Sequence, residues 1–332
     1  MMNFYHLPYE QITAVPQQNM PGILHQAYKH RFLHSLIKLI DYAQQVLDKD
    51  YSGLISRLDR LEITEKKYIS PWLYTQYFWL LEAMRKDSVI EVNLVIRSII
   101  YSTQWTGNEI QITLGLQEDW EKKAFAEEVT TAFGPQKLNA FTPSQDELQG
   151  FQSEVLKALQ LISATDSGIT AEISSLVSTI HLVKSDMNIG ATSPKFFGAI
   201  YLSAPNGNLS ELSSLFLVEH LVHETSHLFL NTILAFDPLI LNEEEERFSS
   251  PIRSELRPML GIYHASFVLS RVIRVFKRMK QLNLHDSKQL EACIADLEKK
   301  YKAAYTTADK LGILTALGKQ ILLSTRECAL ID

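Results

Sequence analysis

The sequence predicts a mainly α fold with a small β-sheet, an α+β chain, and three observations carry that expectation. Apolar residues recur at helical spacing over long stretches at both ends of the 332-residue chain. The stretch 211–236 is apolar almost all round the helical wheel, which is the pattern of a buried helix. Only short segments, chiefly 110–114 and 196–203, have the β-branched and aromatic density of strands.

Composition bounds the class. The chain is 46% hydrophobic and 21% charged, ordinary for a globular protein. A net charge of −6 and the lack of a basic stripe argue against a nucleic-acid binder, which needs a basic surface. Cys293 and Cys328 are not spaced as a zinc knuckle or redox pair. The first residues lack a basic region followed by an apolar one, and no uncharged apolar run reaches 18 residues, so the expectation is a cytoplasmic protein with no membrane association. The expected divisions are a helical N-terminal region over 1–165 that is a candidate peptide-docking part, a metal-binding catalytic core over 166–280, and C-terminal helices over 281–332. These are expected to pack as one compact unit.

Taken in order, residues 1–20 read as an irregular arm with Pro8 and Pro16. Pro21 is tolerated at a first helical turn, and Ile23, Ala27, Phe32, Leu36, Ile40, Ala43 and Leu47 continue a long amphipathic helix. His30 and His34 on it have i, i+4 spacing but no accompanying acid, so they read as surface or packing residues. Helices follow over 50–62 and 71–86. The second is rich in Trp72, Tyr74, Tyr77, Phe78 and Trp79, a density expected of core rather than of a substrate cage. Residues 88–116 fit strand, helix, or one followed by the other, with Gly107-Asn108 marking a turn. Helices fit 118–132 and 144–163, residues 172–183 fit helix or strand, and 196–203 reads as a strand. Glu243 to Glu246 form a like-charge run expected in a solvated loop. Two C-terminal amphipathic helices, the first opening on an Asp286-Ser287 cap signal, carry no chemistry.

The chemistry is concentrated in His223-Glu224-Thr225-Ser226-His227. Residues four apart share a helix face, so His223 and His227 can offer two imidazole nitrogens to one metal ion with Glu224 beside it. Buried histidines and glutamates inside an apolar helix are costly unless something satisfies them. His220 reads as a packing or supporting residue and Glu219 as solvated or helix-packing. In zincin-like enzymes a strand precedes the active-site helix, and here 196–203 precedes it by a short loop containing Asn208 and Ser210, so a zincin-like core of strand plus HExxH helix is expected, wrapped by the N- and C-terminal helices. A third ligand completes such sites. Leu230 and Ile233 exclude the HExxHxxGxxH variant. Glu243 to Glu246 and Glu255 lack a convincing spacing, which leaves His264 as the better candidate. Read as helical, Arg257 lies nearly two turns before His264 on about the same face, and guanidinium suits bidentate capture of a carboxylate. Arg253 is a second candidate. A peptidase could use such an arginine for a substrate terminus, and an iron enzyme for the distal carboxylate of 2-oxoglutarate.

HETSH followed by FSSPIRSELRPMLGIYHASFVLSRV resembles the 2-oxoglutarate-dependent HExxH-type peptide β-hydroxylases of gene clusters for ribosomally made, modified peptides. The resemblance covers about 215–276 and departs at Ala265, where glycine commonly follows the histidine, and at Glu255. It implies a non-haem Fe(II) held by His223, His227 and His264, 2-oxoglutarate on the metal with Arg257 at its distal carboxylate, and O₂-dependent hydroxylation of a Cβ in a precursor peptide. Glu224 would then order water, orient a ligand or bind the metal weakly. The alternatives are a zinc metallopeptidase with Glu224 as general base and a non-catalytic peptide-binding module.

Overall fold

The computed structural model describes residues 7–63, 68–103, 105–133, 140–185, 189–203, 212–252 and 255–330. Its helices are α1 (Met20–Leu47), α2 (Ser52–Ile63), α3 (Pro71–Arg85), α4 (Val89–Tyr101), α5 (Asp119–Phe133), α6 (Gln145–Thr165), α7 (Ser167–Leu176), α8 (Ser214–Leu234), α9 (Met259–Gln281), α10 (Ser287–Leu311) and α11 (Ala316–Cys328). Four short strands, β1 (Gln111–Leu114), β2 (Thr179–Leu182), β3 (Ile189–Ala191) and β4 (Ala199–Ser203), form one mixed sheet. The chain is thus mainly helical with a small sheet. It divides into two compact units that interleave in sequence: 1–24, 153–175 and 212–332 in the first, 25–152 and 176–211 in the second.

In the first unit α9 is the central helix, with α8, α10 and α11 packed on it. It is the helix among the described residues long and apolar enough to span a membrane, and most of it is buried against protein, as in a core helix. Helix starts follow local chemistry. Asp286 caps α10 by accepting from the Gln289 N–H at 2.8 Å, and Ser213 caps α8 by accepting from Phe216 N–H at 3.2 Å. The described part of the N-terminal arm, 7–19, holds a 3₁₀ turn at Tyr9–Gln11, is otherwise irregular, and is anchored. Gln320 donates to the carbonyls of Tyr9 and Ile12, and Ala14 N–H donates to Ser324 Oγ at 2.8 Å. Gly168 makes room for it, since a Cβ there would lie 2.6 Å from the Pro16 carbonyl.

In the second unit the sheet order is β1-β2-β4-β3, with β1, β2 and β4 parallel and β3 antiparallel. Register pairs Leu114 with Leu182 and Leu182 with Leu202, and the β4 side chains are all buried. Tyr201 centres the core beneath it, touching Phe125, Phe196 and the stacked His181 ring. The ambiguous stretches each split into a helix and a strand. Residues 88–116 hold α4 then β1, and 172–183 hold the end of α7 then β2. The 196–203 strand begins only at Ala199, because Pro194–Phe196 forms a 3₁₀ turn capped by Ser193 and Gly198 takes φ 91°. The loop with Asn208 and Ser210 lies outside the described residues.

Candidate metal centre

Helix α8 is built to hold polar groups on one face of a buried rod. Leu217, Val218, Leu221, Val222, Leu228 and Leu230 are fully buried, whereas His223 and His227 are half-buried one turn apart. The His223 side chain keeps 31% of its surface, so this face is reached from solvent. The two Nε2 atoms stand 3.2 Å apart. Two imidazole nitrogens on one ion at about 2.0–2.1 Å are separated by roughly 3.0–3.4 Å, so the pair already has the span of adjacent ligands.

Packing of α9 on α8 brings His264 to this pair. Its Nδ1 lies 2.9 Å from Nδ1 of His227, with the rings stacked at 5.1 Å. His264 therefore meets His227 at the nitrogen opposite the one facing His223. In that arrangement one ring donates its N–H to the other, and His264 orients His227 as an outer partner of a metal ligand does. Among the described residues no three His, Cys, Asp or Glu side chains already converge on one point, and His227 presents opposite nitrogens to His223 and His264. Sharing one ion among all three requires His227 or His264 to turn about χ2, a soft torsion.

Burial, and then the neighbouring imidazoles, push His227 down to about 3 and His264 down to about 4, so both rings are neutral, the form that binds metal. Glu224 is buried, its Oε1 4.0 Å from His223 Nε2, and burial pushes its carboxyl up to about 8. An adjacent cation would reverse that shift. The donor set suits a borderline metal such as iron or zinc.

The other expected residues fall in different settings. His220 stacks on Phe216 at 4.0 Å and its Nδ1 lies 3.0 Å from the Phe216 carbonyl, which accounts for it as a packing histidine. Glu219 lies within the field of Lys300 and Asp296 on α10, with desolvation raising its pKa. Glu243 to Glu246 are exposed, as is Glu255. Arg257 is not on α9: it forms an isolated antiparallel bridge with Phe248, each N–H donating to the other's carbonyl at 2.8 Å, and α9 starts after Pro258. The helical-face argument linking Arg257 to His264 therefore fails, because the backbone there is extended. The half-buried Arg257 instead packs its Cβ beside Gly261. Arg253 lies outside the described residues.

Sequence reasoning missed a buried charge network in the same unit. Arg271 donates to Glu172, and both side chains are wholly excluded from solvent. The guanidinium carbon sits 4.7 Å from the Phe229 ring and 4.8 Å from the Phe267 ring, which come from α8 and α9 respectively. These rings lie two residues past His227 and three past His264, so Arg271 pins the two helices that carry the histidines. Asp166, which caps α7 through Gly168 and Ile169 N–H, also accepts from Arg274 at 2.7 Å and Arg278 at 2.8 Å. The helical spacing of arginines 271, 274 and 278 was the available signal. Comparison with protein-family models and with curated protein sequences gives no match to this chain.

Proposed function

We propose that the chain is a non-haem Fe(II)- and 2-oxoglutarate-dependent peptide hydroxylase of the HExxH type. The observation that carries this reading is the pair of imidazoles on α8 whose Nε2 atoms are 3.2 Å apart, with His264 against His227. His223 and His227 hold the metal. His264 either completes the set after turning its ring or fixes the tautomer of His227. When bound, Fe(II) with 2-oxoglutarate and O₂ supplies the oxidising power to replace a peptide Cβ–H by a hydroxyl. Glu224, buried beside His223, holds a proton without a cation nearby and gives it up beside one. It can thereby order a water or orient a ligand. Arg257 and Arg253 are the arginines proposed for the distal carboxylate of 2-oxoglutarate, for which a planar fork is suited.

The same buried Glu224 favours one second reading, a zinc metallopeptidase in which this carboxylate is the base. One experiment separates them. Incubation of anaerobically purified protein with a cognate precursor peptide, Fe(II), ascorbate and 2-oxoglutarate should give a product heavier by one oxygen and an equal amount of succinate, both dependent on O₂. Peptide cleavage with zinc alone would overturn the hydroxylase reading.

A further inference from the structure

In the second unit α4 and α5 flank α3 and leave between them a groove of about 970 Å³. That is the upper end of the range for small-molecule pockets. Trp72 and Trp79 of α3 and Trp120 of α5 line it, and all three are half-buried, with ring surface left to solvent. The aromatic run expected to be core is therefore divided: Tyr74 is buried and Trp79 packs against the Tyr201 core, while Trp72 and the remaining surface of Trp79 line the groove.

The groove keeps an acidic excess. Glu82, Glu91, Glu118, Asp119 and Glu127 line it with Lys86 and Lys123; Asp119 also meets Lys122 at 3.4 Å and Glu127 meets Lys195 at 2.9 Å, which leaves Glu91 and Glu118 as its carboxylates outside an ion pair among the described residues. Both lining lysines are already engaged, Lys86 with Glu82 at 2.8 Å and Lys123 over the Trp79 ring at 4.4 Å. Trp79 Nε1 donates to Glu127 at 3.1 Å, which holds that ring in place beneath the ammonium. The wall thus already displays how it takes a cation, with an indole face below and carboxylates around it. Next to it α4 turns Val92, Ile96 and Ile99 inward and leaves Ile90, Leu94 and Tyr101 exposed by 75%, 60% and 76%, with Leu94 also lining the groove. Phosphate-bearing ligands are repelled by such a rim.

We infer that this groove binds a cationic peptide segment, its lysine or arginine side chains on the tryptophan faces among the carboxylates and its apolar side chains along the exposed stripe of α4. The inference rests on the reading of the substrate as a peptide and does not depend on iron chemistry. Carboxylate-lined aromatic walls recognise positive side chains by charge complementarity, and a volume of about 970 Å³ exceeds what one such group fills.

Tryptophan emission tests this in the full chain, since three of its four tryptophans line the groove and the fourth, Trp105, is buried with Arg57 over its ring at 3.5 Å. A twelve-residue peptide of alternating lysine and leucine is titrated into protein free of iron and 2-oxoglutarate, beside the same peptide with glutamate for lysine. A saturable change is expected with the lysine peptide only, weakening as salt rises. Trp120→Ala and the doubly charge-reversed Glu91→Lys/Glu118→Lys should each weaken it about ten-fold at unchanged helical ellipticity. No saturable change, equal response to the glutamate peptide, or unaltered affinity in both variants would overturn the inference. Hydroxylation that persists while this binding is absent removes only the groove assignment, and binding without hydroxylation removes only the enzymatic reading.

Discussion

Removing Glu172 strands a charge that cannot be discharged. Arg271 is fully buried, its Nε and Nη1 find no acceptor among the described residues, and Glu172 is its ionic partner. Arginine stays protonated at any accessible pH, so Glu172→Leu should cost about 3–5 kcal/mol, the usual penalty for an uncompensated buried ion. Arg271→Met behaves differently, because a carboxyl can take up a proton. Burial already pushes Glu172 up to about 7 against the opposing pull of Arg271, and deleting the guanidinium removes that pull. A folded-state pKa above the unfolded one means the fold binds the proton more tightly than the unfolded chain does. Stability is then complete below the ordinary carboxyl value of 4.5 and is lost as pH rises through the raised one. Arg271→Met should therefore be destabilised less at pH 5 than at pH 8. The double variant Glu172→Leu/Arg271→Met, with two apolar side chains between Phe229 and Phe267, should return close to the parent stability. Urea unfolding followed by far-UV ellipticity measures all three, while tryptophan emission reports the other unit, which holds all four tryptophans. Additive losses in the double variant, or an Arg271→Met cost equal at pH 5 and 8, would refute the buried-ion reasoning.

Three further outcomes are expected. His223→Ala and His227→Ala should each abolish stoichiometric iron in anaerobically loaded protein while preserving helical ellipticity; His264→Ala should do the same, and full retention of metal and activity in it would make His264 no more than an orienting partner of His227. Arg257→Ala should leave iron bound but weaken 2-oxoglutarate by about 30- to several-thousand-fold, the effect of losing a charge-assisted pair, with partial recovery in Arg257→Lys. The metal-to-ligand absorption band during titration reads this, and an unchanged affinity would return Arg257 to a purely structural role at its bridge with Phe248. Gly168→Ala drives a methyl into the Pro16 carbonyl and should lower stability by about 1–3 kcal/mol, with an unchanged Tm counting against a seated arm.

What could be read from the sequence was local. Two histidines four apart on an apolar helix have one geometry whatever surrounds them, and the Nε2 separation of 3.2 Å follows from helical pitch and rotamer alone. The Asp286 cap is equally short-range. Stretches 88–116 and 172–183 resisted because β-branched runs satisfy either period, and only neighbours to pair with made Gln111–Leu114 and Thr179–Leu182 strands. Everything that depends on which element packs against which was left to the tertiary structure. It decided that His264 approaches His227 at the nitrogen opposite His223, and that Arg257 sits in an extended bridge instead of on α9. It also paired Arg271 with Glu172 across 99 residues and opened Trp72 and Trp79 to a groove. Periodicity specifies that a face is apolar, but the partner that covers it, or its absence, is set by contacts between residues far apart in the chain, and a single sequence carries no local signal for those.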